Sequence, residues 1–172
     1  MILAATISGW NLICDANNPE GLREMRSMKS RPANKGFTIL VESDARLNLH
    51  VDEVPSLAWD IIDTTQDPVI LVLPNGRKVA KESLADDGSI AIRMVSEQAE
   101  RKLVQMVNGP VACTALTDDK GDPVVDIELA DPDVLMKIDY LLLLQADFPK
   151  DNQRQIPIIK LGLNGAVEII RP

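Results

Sequence analysis

The chain reads Val69-Ile70-Leu71-Val72-Leu73 before a turn signal at Pro74-Asn75-Gly76. Five consecutive apolar residues lack the alternation of a half-exposed strand, and they predict a β-strand that is buried on both faces. Such a strand needs other elements packed above and below it. The stretch therefore predicts a layered fold with a sheet at its centre.

Helical patterns occur on both sides of this strand. Residues 19–28 predict a short helix whose apolar side is formed by Leu22, Met25 and Met28, and apolar residues between 54 and 62 trace one face of a second helix. A third helix is predicted to start at Ser96 as N-cap and to end at Gly109. Its inward-facing residues are predicted to be Leu103, Met106 and Val107.

Strand patterns alternate with these helices. Strands are predicted over residues 37–42, 89–95, 110–116 and 140–145, the last of them buried, and Asp131-Pro132 predicts a helix start. Asn164-Gly165 predicts a terminal hairpin between residues 157–161 and 166–171. The alternation predicts a single domain over residues 1–172 of the α/β (α+β) class. We expect a twisted mixed β-sheet with helices on both faces, in three layers.

Composition limits the class of protein. Of the 172 residues, 45% are apolar and 26% charged, and the chain has no long apolar run and no basic-then-apolar leader. We therefore expect no membrane span and no secretory signal, and a cytoplasmic protein. Cys14 and Cys113 have no spacing typical of metal ligands, and they are predicted to be buried small apolar residues. His50, in a polar stretch, is predicted to lie on the surface, and no metal site is expected.

Net charge argues against tight nonspecific binding to nucleic acid. Eighteen basic and twenty-six acidic residues give a net charge of −8, which repels a polyanion at long range. Any contact with tRNA or double-stranded RNA is therefore expected to be weak and confined to a local basic surface.

Basic residues do cluster in one stretch, Lys29-Ser30-Arg31-Pro32-Ala33-Asn34-Lys35-Gly36. Three cations within seven positions can converge on one anion, although a basic patch beside a proline turn is more often a solvated loop. This stretch is the best candidate for a phosphate or carboxylate site.

Four stretches in order along the chain carry a resemblance to a known family. They are residues 6–20, the basic stretch 29–36, residues 86–93, and 158–162, which read Ile-Ile-Lys-Leu-Gly. Together they resemble the Sua5/YciO/YrdC family, which makes threonylcarbamoyl adenylate for a tRNA modification. Lys29, Arg31 and Lys35 match the family's Lys-x-Arg-Pro-x-x-Lys-Gly motif at every charged position. The resemblance covers almost the whole chain and implies the YrdC-like three-layer fold.

The resemblance also implies site residues. Thr6, Ser8 and Trp10 correspond to the threonine-binding motif, and Lys29 and Arg31 to the catalytic pair. Binding of ATP is implied for Lys29, Arg31, Lys35, Arg93, Thr114, Thr117 and Arg171. Arginine and lysine suit this role because they offset the negative charge that develops during adenylyl transfer.

A nucleotidyltransferase reaction is implied as well. The family condenses L-threonine with bicarbonate and transfers the adenylyl group of ATP, bound with Mg²⁺, to the product while pyrophosphate leaves. A partner protein that transfers the product to tRNA, to form the t6A modification, is also implied.

Departures from the family motifs leave three hypotheses open. Ile7, Gly9 and Asn11 differ from the threonine motif, Leu116 or Thr117 replaces an asparagine of the nucleotide loop, and residues 155–157 lack two serines. The chain is an active synthase, a paralogue that binds nucleotide or RNA without catalysis, or an interaction domain on the same scaffold. Retention of the basic motif favours the first two over the third. Between these two, the lost hydrogen-bonding groups favour the second and the intact basic motif favours the first, and the family reaction is the preferred hypothesis.

Overall fold

A computed structural model describes residues 1–6, 8–28, 34–107, 109–117, 122–124, 126–142 and 155–172. Two predicted site residues, Lys29 and Arg31, lie outside these ranges, as does the C-terminal half of the strand predicted over 140–145. Their predicted roles rest on sequence.

Fourteen helices and strands are formed by the described residues, with short 3₁₀ turns at Lys81–Ser83 and Ile127–Leu129. In chain order they are β1 (Ile2–Thr6), β2 (Gly9–Asp15), α1 (Pro19–Met28), β3 (Thr38–Val41), α2 (Asp44–His50), α3 (Ser56–Thr64), β4 (Ile70–Leu73), β5 (Ile90–Met94), α4 (Gln98–Val107), β6 (Val111–Ala115), α5 (Pro132–Leu135), β7 (Tyr140–Leu142), β8 (Ile158–Leu161) and β9 (Val167–Arg171).

All the strands of the described ranges join one mixed sheet in the order β7-β1-β2-β6-β3-β5-β4-β8-β9. The pairs β1–β7, β3–β5 and β4–β8 are parallel, and the remaining neighbours are antiparallel. The predicted strand at 69–73 is β4, between β5 and β8, where it is buried at three of its four positions. The prediction of a mixed sheet is confirmed.

Helices pack on both faces of this sheet, as predicted. One face carries the larger apolar core, in which Leu22 of α1, Leu47 of α2 and Ala58 of α3 contact the strands. The opposite face carries a smaller core, to which α4 contributes Leu103 and Val104. Among the described helices, α4 is the one whose buried residues join this smaller core.

Several local predictions are confirmed. The helix over 19–28 and the strands near 39, 92 and 113 form where the pattern placed them. Asp131 caps α5 by accepting a hydrogen bond from the Asp133 N–H, with proline at the first helical position. The terminal hairpin pairs β8 with β9, and Gly165 has a positive φ of 80°, which glycine adopts without strain.

Other local predictions are wrong. Met106 is 83% exposed rather than inward-facing, and β7 is an exposed edge strand rather than a buried one, with Tyr140 68% exposed. Strand β7 has a neighbour only on its β1 side among the described strands, so its apolar sequence was misleading. Helix α2, capped by Ser43, was not predicted because its seven residues carry a weak apolar pattern.

His50 is also placed differently from the prediction. It lies at the end of α2 with 1% of its surface exposed, and neither ring nitrogen has a hydrogen-bond partner among the described residues. Burial lowers the pKa of His50 below its usual 6.5, and the nearby cations Arg46 and Lys78 lower it further. Backbone groups of Arg77 and Lys78 act to raise the pKa of His50. Burial outweighs them, because neither ring nitrogen forms a hydrogen bond with a described residue.

This burial predicts a specific pH dependence of stability. A lowered folded-state pKa means that stability is complete above pH 6.5 and falls below it, because the unfolded chain gains a proton that the folded one resists. For one proton, the loss cannot exceed about 1.4 kcal/mol per pH unit. Urea denaturation of the wild type and of His50→Leu between pH 7.5 and 5 measures the difference. Parallel curves for the two proteins would contradict the prediction.

Candidate functional site

A cavity of about 170 Å³ opens on the sheet face that carries α4, beside that helix. Side chains on alternate residues of a strand point to the same face, so β2, β3, β5 and β6 each send polar or small residues into it. The described lining residues are Ser8, Asn11, Thr38, Ile70, Arg93, Cys113, Thr114, Ala115, Thr117, Pro123, Gln155, Ile156, Ile158 and Arg171. Five of the predicted site residues are in this set: Ser8, Arg93, Thr114, Thr117 and Arg171.

A hydroxyl and amide cluster forms one end of the cavity. The Asn11 side-chain amide donates to Thr6 Oγ1 at 2.7 Å and to Ser8 Oγ at 3.1 Å, and the two hydroxyl oxygens lie 3.2 Å apart. Thr6 itself is 1% exposed, so it supports Ser8 and Asn11 rather than lining the cavity. Asn11, a departure from the family motif, thus takes a central position that sequence comparison with the motif did not assign.

Trp10 occupies the other face of the sheet. It neighbours Asn11 in β2 and therefore points the opposite way, into the larger core, where it is 3% exposed. The ring expected to pack against a threonine methyl group does not line the described cavity. The apolar surface that does line it comes from Ile70, Ile156 and Ile158.

Arg93 lines the cavity but is paired beneath it. Its Nη1 and Nη2 donate to the two carboxylate oxygens of Glu100, in the first turn of α4, at 2.8 and 2.9 Å. Both side chains are buried, at 3% and 0% exposure. Burial by itself would lower the pKa of Arg93, but attraction to Glu100 outweighs it and raises the pKa. The guanidinium is charged, and its charge is balanced by Glu100.

Arg171 is the second cation of the cavity. Its Nε and Nη2 both donate to the Ile156 carbonyl oxygen, at 2.9 and 2.5 Å, which aims the guanidinium along the cavity wall. Burial lowers its pKa from the ordinary value, but an arginine stays protonated in proteins. Because a carbonyl carries no net charge, the charge of Arg171 is available to an anion.

The basic motif is held at its C-terminal end by α1. Arg26 donates to the Lys35 carbonyl and to the Glu82 carbonyl, both at 2.9 Å, and its guanidinium lies 4.8 Å from the centre of the Phe37 ring. Phe37 N–H in turn donates to the Ser83 carbonyl at 2.9 Å. Arg26, which precedes the basic stretch in the sequence, therefore fixes the backbone at the C-terminal end of the motif. The side chain of Lys35 is exposed.

Two residues of the site could have been found from sequence. Glu100 precedes Leu103 and Val104 by three and four positions, which places it on the buried side of α4. A carboxylate on a buried helix face indicates a buried partner. Asn11 alternates with Ile13 along β2, so its period assigns it to the same face as the smaller core.

Among the described residues, the cavity therefore joins hydrogen-bonding groups, the cation Arg171 and an apolar wall. Such a set suits a small polar ligand with a carboxylate or phosphate group. Within the ranges that the structure describes, no group of three His, Cys, Asp or Glu residues lies together as a metal site would require, and no helix is long and apolar enough to span a membrane.

The fold is shared by proteins named Sua5 and YciO, and the sequence is similar to proteins named threonylcarbamoyl-AMP synthase. Residues 1–172 match the Sua5/YciO/YrdC family, described as "Telomere recombination". Because the match spans the whole sequence, the chain belongs to this family.

Individual relatives agree with this assignment. The chain is 24% identical over 170 residues to threonylcarbamoyl-AMP synthase of Pseudoalteromonas translucida, across 97% of this chain and 89% of that protein. Its fold resembles that of E. coli YciO with a TM-score of 0.78 at 18% identity, across 99% of this chain and 81% of YciO. It also resembles P. abyssi Sua5 solved with L-threonine, with a TM-score of 0.77 at 20% identity, across 93% of this chain and 46% of Sua5.

Proposed function

We propose that the protein is an L-threonylcarbamoyladenylate synthase. The observation that carries the proposal is the cavity that Ser8, Asn11 and Arg171 line together. The chain that forms it belongs to the Sua5/YciO/YrdC family. A relative named threonylcarbamoyl-AMP synthase aligns along 97% of the chain. The proposed substrates are L-threonine, bicarbonate and ATP bound with Mg²⁺.

Each group in the cavity has a role in this proposal. The Thr6–Ser8–Asn11 cluster holds the polar end of threonine, and Ile156 and Ile158 contact its methyl group in place of Trp10. Arg171 binds the negatively charged carboxylate. Thr38 and Thr117 also line the wall, whereas Thr114 lies opposite Leu12 in the sheet and its side chain therefore points to the face of the larger core.

The reaction needs positioning rather than a covalent nucleophile. Threonine nitrogen attacks the bicarbonate carbon, water leaves, and a carbamate forms. A carbamate oxygen then attacks the α-phosphorus of ATP, the bond to the β-phosphate breaks, and pyrophosphate leaves. Lys29 and Arg31 are proposed to neutralise the phosphate charge that builds up in this step, with Lys35 nearby in the motif.

One assay tests the proposal directly. Purified protein is incubated with ATP, L-threonine, bicarbonate and Mg²⁺, and pyrophosphate is measured. We expect release that depends on threonine and falls when Ser8→Ala and Asn11→Ala are introduced together. Arg77→Ala, which changes an exposed cation outside the cavity lining, is the matched control. Pyrophosphate release that does not depend on threonine, or a lack of release, would contradict the proposed synthase reaction.

Binding of ATP gives a separate prediction. A charge-assisted hydrogen bond contributes about 1.5–3 kcal/mol, so Lys29→Ala or Arg31→Ala should weaken ATP binding at least about tenfold. Calorimetry measures the affinities, with Lys102→Ala on the exposed side of α4 as control. Equal heats for the wild type and both variants would exclude nucleotide binding through the motif.

A binding-only paralogue is the second candidate, and one observation favours it. Leu116, one of the two residues at the family's asparagine position, is 3% exposed in the larger core, so only Thr117 offers a polar group there. Detectable ATP affinity without pyrophosphate release would support this candidate. If ATP does not bind, an interaction domain on the family scaffold is left.

The remaining expectations concern partners and location. Weak contact with tRNA or double-stranded RNA, a t6A-transferase partner and a cytoplasmic site of action all follow from the family assignment. They belong to this proposal, and the net charge of −8 limits the RNA contact to a local surface.

A further inference from the structure

Beneath the cavity lies a buried ion pair that the proposed reaction does not use. Arg93 enters from β5 and Glu100 from the first turn of α4, and the guanidinium meets the carboxylate through two parallel hydrogen bonds of 2.8 and 2.9 Å. Arg93 also lines the cavity, whereas Glu100 is fully buried behind it.

The pair changes the electrostatics of the cavity. A guanidinium with no partner would attract an anion strongly in a poorly solvated site, because Coulomb interactions strengthen as the effective dielectric falls. A carboxylate in contact with that guanidinium cancels most of this attraction. Among the described lining residues, Arg171 is then the cation whose charge a ligand meets.

We propose that Glu100 is a specificity-determining residue that sets the charge of the cavity by neutralising Arg93. The described cavity then prefers a zwitterion or a singly charged anion, such as an amino acid, to a multiply charged phosphate. The choice of ligand class rests on the proposed function, and it leaves the polyphosphate of ATP to cations elsewhere in the chain. The charge assignment rests on the ion pair alone.

Removal of the Glu100 charge should raise the affinity for an anion, and removal of the Arg93 charge should lower it. Glu100→Gln keeps the size of the side chain and releases the charge of Arg93, so inorganic pyrophosphate should bind at least about tenfold more tightly. Arg93→Gln leaves the Glu100 carboxylate without its partner, so pyrophosphate should bind more weakly than to the wild type. The double variant Arg93→Gln/Glu100→Gln carries neither charge and should bind within about threefold of the wild type.

Calorimetry with pyrophosphate at low ionic strength measures these affinities, and circular dichroism checks the fold of each variant. A purely structural role for Glu100 predicts weaker binding in Glu100→Gln, which is the opposite sign. Unchanged or weaker binding in folded Glu100→Gln overturns the proposal, as does a lack of pyrophosphate binding by every protein tested.

If Glu100→Gln does not fold, the other two variants decide. The proposal predicts that the second substitution restores the affinity lost in Arg93→Gln, and equal affinities for the single and double variants overturn it. The assay contains no threonine or bicarbonate. A protein that is inactive as a synthase can therefore still confirm the charge assignment. Failure of the proposed function and failure of the Glu100 proposal are thus distinguishable.

Discussion

Arg93→Met should lower the free energy of unfolding by about 3–5 kcal/mol at pH 7, the typical result of removing one partner of a buried ion pair. The substitution leaves the fully buried Glu100 carboxylate without a counter-charge. A buried, unpaired carboxylate is unfavourable because it loses its hydration without compensation. Urea denaturation followed by circular dichroism measures the loss.

Two further variants distinguish the effect of an unpaired buried charge from the effect of lost side-chain packing. Arg93→Met/Glu100→Leu removes both charges, and its stability should lie within about 1 kcal/mol of the wild type or exceed it. Arg77→Ala breaks the exposed pair with Asp52 and should cost about 1 kcal/mol or less. A double variant as unstable as Arg93→Met, or less stable, would contradict this account.

Gly36→Ala should destabilise the protein by about 1–3 kcal/mol, as overpacking of a tight contact does. A Cβ on Gly36 would lie 2.7 Å from the Ser83 carbonyl oxygen and 2.8 Å from the Ala85 nitrogen. Both are backbone atoms that cannot rotate away. Because Gly36 ends the basic motif, the shift that relieves the contact should also weaken ATP binding.

Gly109→Ala is the matched control for this substitution. The nearest atom to its new Cβ would be the Val107 carbonyl oxygen at 3.9 Å, an ordinary van der Waals distance. Denaturation and ATP calorimetry on both variants measure the contrast. Equal stability of Gly36→Ala and Gly109→Ala would show that the backbone contact at Gly36 relaxes without cost.

The residues around the turn between β1 and β2 show how far the site could be predicted. The motif assigned Thr6, Ser8 and Trp10 to one pocket, and the structure places Ser8 on the cavity wall with Thr6 bonded behind it. Trp10 lies in β2, beyond the turn, and it points to the opposite face because it alternates there with Asn11. A motif records residue types in order, whereas the direction of each side chain depends on where the strand begins.

The arginines show the same limit for charge. Arg26, Arg93 and Arg171 are indistinguishable as cations in the sequence, yet the first binds backbone carbonyls beside the motif and the second is neutralised by Glu100. Arg171 keeps its charge available on the cavity wall. These partners are up to 56 positions away along the chain. Local patterns cannot identify such partners.

By itself, the sequence determined the class of fold, the family and most element positions, including β4, α1 and the β8–β9 hairpin. The fold class and the element positions follow from short-range periodicity and turn chemistry, which a local stretch of chain carries, and the family follows from the resemblance of the motif residues. Tertiary structure alone decided the burial of His50, the exposure of β7 and the pairing of Arg93 with Glu100. Burial and charge pairing depend on which distant elements pack together, and only the folded chain brings those elements into contact.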